Sequence, residues 1–157
     1  MAILEIKKMG DPVLKRISVP VDRVTKKVRS LIDDMAETMY ASEGVGIAAP
    51  QIGISIRIAV VDVDKHRYEL INPVIIEREG SVTDSEGCLS FPGIYGEVER
   101  AEKIKVEYTN RYGKHHKLEA EGLLARCIQH EVDHLDGKLF IEVAKNITQA
   151  KEKREER

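Results

Sequence analysis

Between Asp22 and Ser42 the apolar residues Val24, Val28, Leu31, Ile32, Met35 and Met39 recur at i, i+4, i+7, i+8, i+11 and i+15. At 3.6 residues per turn they form one stripe, which predicts an amphipathic helix with Thr25 or Asp22 as its cap. The pattern then breaks: "EGVGIAAPQIG" carries glycines and Pro50, which rule out a regular helix. Strand patterns follow in "IRIAVVDV", "RYELINPVII" and "EKIKVEYT", the last with Ile104, Val106 and Tyr108 alternating against charges. "RYG" reads as a turn and "KHHKLEAEG" as an antiparallel return, while the early "GDPVLKR" reads as a turn leading into an extended segment. A second helix is expected from about Leu123 to Leu135, stopped by Gly137. "KNITQAKEKREER" is polar on every side and predicts a short exposed helix or a frayed tail. Helix, strands, then helix is the order of an α+β protein rather than of alternating βαβ units. The expected organisation is one domain over residues 1–144 and a polar tail over 145–157.

Composition narrows the function. A chain of 157 residues is long enough for one well-formed core, and without tryptophan that core must rest on Ile, Leu, Val and Met. A net charge of −2 leaves no electrostatic footprint for DNA or a membrane surface. No apolar run approaches the roughly 18 residues of a spanning helix. Glu5 and two lysines follow the first apolar residues, the wrong order for a signal peptide. Two cysteines without an export signal point to a reducing compartment, where thiols bind metal or pack. The expected location is the cytoplasm, and the sequon at Asn146 then carries no meaning.

The chemistry concentrates in "CIQHEVDHLDG". His130 and His134 stand one helical turn apart and can reach one ion, and Glu131 beside them can take a proton from a water in the ion's open position. Stepping 100° per residue, Leu123, Cys127, His130 and His134 fall within a sector of roughly 60°, with Glu131 at its edge and Val132 and Asp133 pointing away. Two histidines can stand four apart by chance, but burying two imidazoles on an apolar face costs free energy unless something bonds them. A third ligand is needed. Cys127 shares the face but lies about 4.5 Å further along the axis on a short side chain. Cys88, in "SEGCLSFPG", has glycines on both sides that let its backbone approach another element, and it is the favoured ligand. Cys127 then becomes a small buried residue beside the site. "GVGIAA" formally fits the dinucleotide fingerprint, with Asp62 and Asp64 downstream, but a helix precedes it and Pro50 and Gly53 forbid one after it. It reads as a tight loop. Gln51 could donate to a developing oxyanion, a role that physics alone leaves open.

Taken together, "GDPVLKR", "GVGIAAPQIG", "EGCLS" and "QHEVDHLDG", in that order, resemble the peptide deformylases, which remove the formyl group from the initiator methionine of nascent chains. The resemblance runs from about residue 5 to about residue 142. The expected fold is α+β, with mixed or antiparallel β-sheets around a central metal-binding helix and an N-terminal amphipathic helix. By resemblance, Cys88, His130 and His134 hold the metal, water fills the open position as nucleophile, and Glu131 is the general base. Gln51 and the backbone N–H of Leu89 steady the oxyanion, Gly46 binds substrate through its main chain, and Glu86 braces the site with Arg100 as its partner. From their place on the histidine face, Leu123 and Cys127 are expected to wall a pocket for the methionine side chain. The resemblance implies Fe(II) as the working ion, with zinc, nickel or cobalt able to occupy the site, and loss of activity in air through cysteine oxidation. Formylated nascent peptides are the implied partners. For the ribosome, Lys145, Lys151, Lys153 and Arg154 could touch RNA, but the interleaved glutamates favour a solvated tail. Where many bacterial members carry an arginine, this chain reads Ile94, Tyr95 and Gly96, which implies different binding beyond the methionine.

Two other readings share the histidine motif. A zinc endopeptidase usually takes its third ligand downstream of the helix, where this chain has no histidine and only Glu142 before the tail. A structural zinc module wants four protein ligands, so Cys127 would have to reach in.

Overall fold

The computed structural model describes residues 2–149. Helix α1 spans Lys26–Ala41, and Thr25 is its cap: the hydroxyl accepts from the Val28 N–H at 3.2 Å. The predicted stripe is the buried face, with Ile32, Met35 and Met39 fully enclosed. The short strand β1, Gly46–Ala48, leads into a single 3-10 turn over Ala49–Ile52, so the glycine-rich stretch is followed by no regular helix. Strands β2 (Ile58–Val63), β3 (His66–Glu79), β4 (Val82–Cys88), β5 (Phe91–Arg100), β6 (Lys103–Thr109) and β7 (His115–Glu121) follow. Helix α2 spans Gly122–Leu135, and a last turn, α3 (Phe140–Val143), precedes β8 (Lys145–Gln149).

The strands form a five-stranded sheet, β1-β2-β3-β6-β7, and a three-stranded sheet, β4-β5-β8, with every pair of neighbouring strands antiparallel among the described residues. Strand β2 explains where the helices sit. Ile58 and Val60 join the core with α1, whereas Val61 and Val63 join the core with Ile128 and Val132 of α2. Successive side chains point to opposite faces, so the sheet is sandwiched there between the two helices. A third cluster, with Leu14, Phe91, Val98 and Phe140, ties the small sheet to the C-terminal segment. The architecture is the expected α+β fold, with α2 at its centre.

Several elements depart from the sequence reading. The glycine-rich stretch read as a tight loop holds strand β1, because its small residues pair with β2, and "GDPVLKR", read as a turn leading into an extended segment, coils into a 3-10 turn over Pro12–Lys15 capped by Asp11. The hairpin β4–β5 carries no clear apolar alternation because its buried positions include Glu86, Gly96 and Arg100. The first residues of the expected tail, Lys145–Gln149, are neither helix nor frayed but an edge strand, pairing Ile94 with Gln149 and Glu97 with Lys145. All five are exposed, so backbone pairing holds the strand and no burial pattern announces it. Lys151, Lys153 and Arg154 lie outside the described residues.

Candidate active site

Helix α2 springs directly from β7, and its face carrying Leu123, Arg126, Cys127, His130 and Glu131 borders a cavity of about 550 Å³. The opposite wall comes from Gly44–Gly46, Gln51, the Glu86–Leu89 segment and Tyr95. A register shift between Glu86 and Cys88 lets β4 deliver both side chains to the helix. The sulfur of Cys88 and ring nitrogens of His130 and His134 all lie within 4.8 Å of one another. Cys88 Sγ stands 3.2 Å from His134 Nε2. Cys127 is buried at the cavity wall and stays outside this cluster. Burial, then the Glu131 charge, pushes its thiol up to about 12, so it is protonated at neutral pH.

Glu86 fixes the imidazole of His130. Burial alone would raise the Glu86 pKa, but hydrogen bonds from His130 and Arg100 outweigh it and hold the carboxyl at about 2. An ionised carboxylate only accepts, so His130 Nδ1, 2.9 Å from Glu86 Oε1, must carry the hydrogen, and Nε2 is left to face the cluster. Arg100 grips the same carboxylate with Nε at 3.0 Å and Nη2 at 2.9 Å, and its Nη1 reaches Asp133 at 2.6 Å. Asp133 thus points away from the cluster, as the helical projection predicts. At His130, burial opposes a positive charge, yet Cys88 and Glu86 outweigh burial and raise the pKa to about 10. Burial and the neighbouring His130 charge hold His134 well below the usual histidine range.

Glu131 lies on the cavity side. Its Oε1 has no partner among the described residues, and burial pushes its pKa up to about 7. Its other oxygen lies against Gly46, where an added Cβ would stand 2.6 Å from Oε2, so only glycine leaves room for this carboxylate. Gln51, 1% exposed, is clamped at both ends. Its Oε1 accepts from the Ala48 N–H at 2.9 Å, and its Nε2 donates to Ser90 Oγ at 3.2 Å and lies 3.5 Å from Cys88 Sγ. Leu123 stands at the mouth, 56% exposed, and Leu89 lines the wall.

Cys88, His130 and His134 therefore gather in one cluster, Gly46, Gln51, Leu89, Leu123, Cys127 and Glu131 line the cavity beside it, and Glu86 and Arg100 pair behind His130. Sequence reading passed over Ser90, which holds Gln51, and Arg126, whose guanidinium also donates to Glu86. Helical spacing puts Arg126 one turn before His130 on the same face, but its partner Glu86 is brought to it only by the folded hairpin.

The donor set suits a transition ion: one soft sulfur and two imidazoles, with the negative charges that favour a cation at His130 close by. Three such ligands would leave a position open, as catalytic sites require. Residues 3–150 match the family model for polypeptide deformylase. The chain belongs to this family. It is 53% identical to the peptide deformylase of Desulfitobacterium hafniense over 145 residues, 92% of this chain and 97% of that one. It is 56% identical to peptide deformylase 1 of Bacillus anthracis over 142 residues, 89% and 91% of the two chains. Among solved structures, the peptide deformylase of Thermotoga maritima superposes with a TM-score of 0.90 at 44% identity, covering 92% of this chain and 99% of that one. The Synechococcus elongatus deformylase, solved with actinonin, also gives 0.90, at 43% identity, covering 93% and 81%. A peptide deformylase is a metal-dependent hydrolase that removes the formyl group from nascent peptides, and that is the activity of this chain. Membership sets aside the endopeptidase and the structural zinc module.

Proposed function

We propose that Cys88, His130 and His134 hold the ion, Fe(II) in the cell with zinc, nickel or cobalt able to replace it, and that Glu131 handles the proton. The observation that carries this reading is the convergence of those three ligands beside a buried carboxylate with a free oxygen. When bound, the ion supplies Lewis acidity to the formyl group and to the attacking water. Glu131 takes a proton from that water as its oxygen bonds to the formyl carbon, then passes it to the leaving nitrogen as the C–N bond breaks. Formate and a free methionine amine result. Burial disfavours the charged carboxylate, which helps Glu131 give the proton on as well as take it.

The oxyanion is met by Gln51 Nε2 and the Leu89 N–H. Gln51 suits the task because its Oε1 is tied to Ala48, which fixes the amide with its N–H₂ end toward Cys88. Strand β1 is at the edge of the larger sheet, so the Gly46 main chain is free to pair with an extended peptide. Leu123 and Cys127 wall the cavity where the methionine side chain lodges, and Tyr95 borders the part beyond it.

No helix among the described residues is long and apolar enough to cross a membrane. Formylated nascent chains are made in the cytoplasm, so the chain acts there, at or near the ribosome. Residues 1–144 are the catalytic domain, and Lys145–Gln149 extends its small sheet. The test is to load the protein with Fe(II) or nickel without oxygen and offer formyl-Met-Ala-Ser. Formate release that disappears in Cys88→Ala supports the ligand set; full activity in that variant refutes it.

A further inference from the structure

Arg126 leaves α2 one turn before His130 and is 7% exposed. A guanidinium is buried at a cost unless it is paired and its donors are bonded. Both conditions are met. Nη1 donates to Glu86 Oε2 and, at 3.2 Å, to the Val98 carbonyl, and Nη2 donates to the Val82 carbonyl at 3.1 Å. Val82 opens β4 and Val98 lies in β5. One side chain therefore fastens the hairpin that carries Glu86 and Cys88 to the helix that carries His130 and His134.

The partners of Glu86 give this fastening a consequence for the metal. Its Oε1 receives His130 Nδ1 and Arg100 Nη2, and its Oε2 receives Arg100 Nε and Arg126 Nη1. A carboxylate offers about four lone-pair sites, and these four donors fill them. Without Arg126, one lone-pair site on Oε2 is empty, and Arg100 alone must hold the carboxylate in place against His130. The hairpin also loses its two carbonyl anchors on the helix.

We propose that Arg126 is a positioning residue for the metal centre: by filling the fourth site on Glu86 and bridging Val82 and Val98, it holds His130 and Cys88 in register with His134. The inference rests on Cys88, His130 and His134 being the ligands. It differs from a substrate role, which would change KM and leave metal release alone, and from simple packing, which would lower stability and leave metal release alone.

The test measures how fast the cobalt- or nickel-loaded protein, kept without oxygen, gives up its ion to excess chelator. Wild type, Arg126→Gln, Arg126→Lys and Cys88→Ala are compared, with melting temperatures of the metal-free forms alongside. Arg126→Gln is expected to release metal about 10–100 times faster than wild type. Arg126→Lys should fall between them, since it keeps a charge for Glu86 but cannot bridge both carbonyls. Release from Arg126→Gln at the wild-type rate, whatever happens to its melting temperature, overturns the proposal. If Arg126→Gln does not fold, the lysine variant decides, and release within about two-fold of wild type overturns it. A Cys88→Ala variant that holds metal as wild type does shows that the ligand assignment has failed, and the inference falls with it. Loss in Cys88→Ala with none in the Arg126 variants refutes the role of Arg126 alone.

Discussion

Replacing Glu86 by glutamine keeps the shape of the side chain and removes its charge. In the folded protein this carboxylate accepts from His130, from two nitrogens of Arg100 and from Arg126. A glutamine offers one oxygen and an N–H₂ group, so one half of the side chain must present donors to donors. Breaking a buried pair by removing one charge costs roughly 3–5 kcal/mol, because the partners stay buried. The cost should sit at the low end here, since Arg100 retains Asp133 and Arg126 retains two carbonyls. With about 2–4 °C per kcal/mol for a domain of this size, Glu86→Gln should melt roughly 10 °C below wild type. His130 loses the acceptor that fixes its tautomer, and metal affinity should fall about 10–100-fold. Calorimetry of metal-free protein and competition with a chelator measure the two effects. A variant that melts within about 1 °C of wild type and binds metal equally well would show that the network neither stabilises the fold nor orients the ligand.

Three further outcomes follow from the same geometry. Gly46→Ala places a methyl carbon 2.6 Å from Glu131 Oε2, so formate release should drop by about 10²-fold while metal content stays unchanged; unchanged activity would count against the placement of Glu131. Cys127→Ser should keep its metal, and iodoacetamide should modify Cys127 slowly until the pH nears 12, the value to which burial pushes the thiol; rapid alkylation at neutral pH in the folded protein would contradict its enclosure. Glu86 has a folded pKa of about 2 against an ordinary 4.5, so its stabilisation is complete above 4.5 and is lost as pH falls through 2. Acid unfolding of the metal-free protein should therefore be less pH-dependent across that window in Glu86→Gln, and identical slopes for variant and wild type would argue against the depressed value.

The sequence made α1 and α2 readable because each carries an apolar face with a 3.6-residue period, and made β2, β3, β6 and β7 readable through strand-forming residues. It hid β4 and β5 for a physical reason: Glu86 and Arg100 occupy inward positions, and buried charges look like exposed ones to a pattern of polarity. It hid β8 because a strand exposed along its whole length has no alternation to show. At the site, His130, Glu131 and His134 were legible from helical spacing, and Cys88 from its flanking glycines. Arg126 was not, since an arginine on a helix reads as a solvated side chain until the carboxylate that pairs with it is placed. Ser90 escaped for a similar reason: its bond to Gln51 spans 39 positions of sequence and depends on the hairpin being in place.

In the proposed mechanism, Cys88, His130 and His134 hold an ion for which Glu131 moves the proton. Its most direct test is Glu131→Gln, loaded with Fe(II) or nickel without oxygen, with metal content and formate release measured on the same sample. The variant should bind metal as wild type does and lose about 10²–10⁴-fold in formate release. A metal-loaded variant that still releases formate at the wild-type rate would contradict the account.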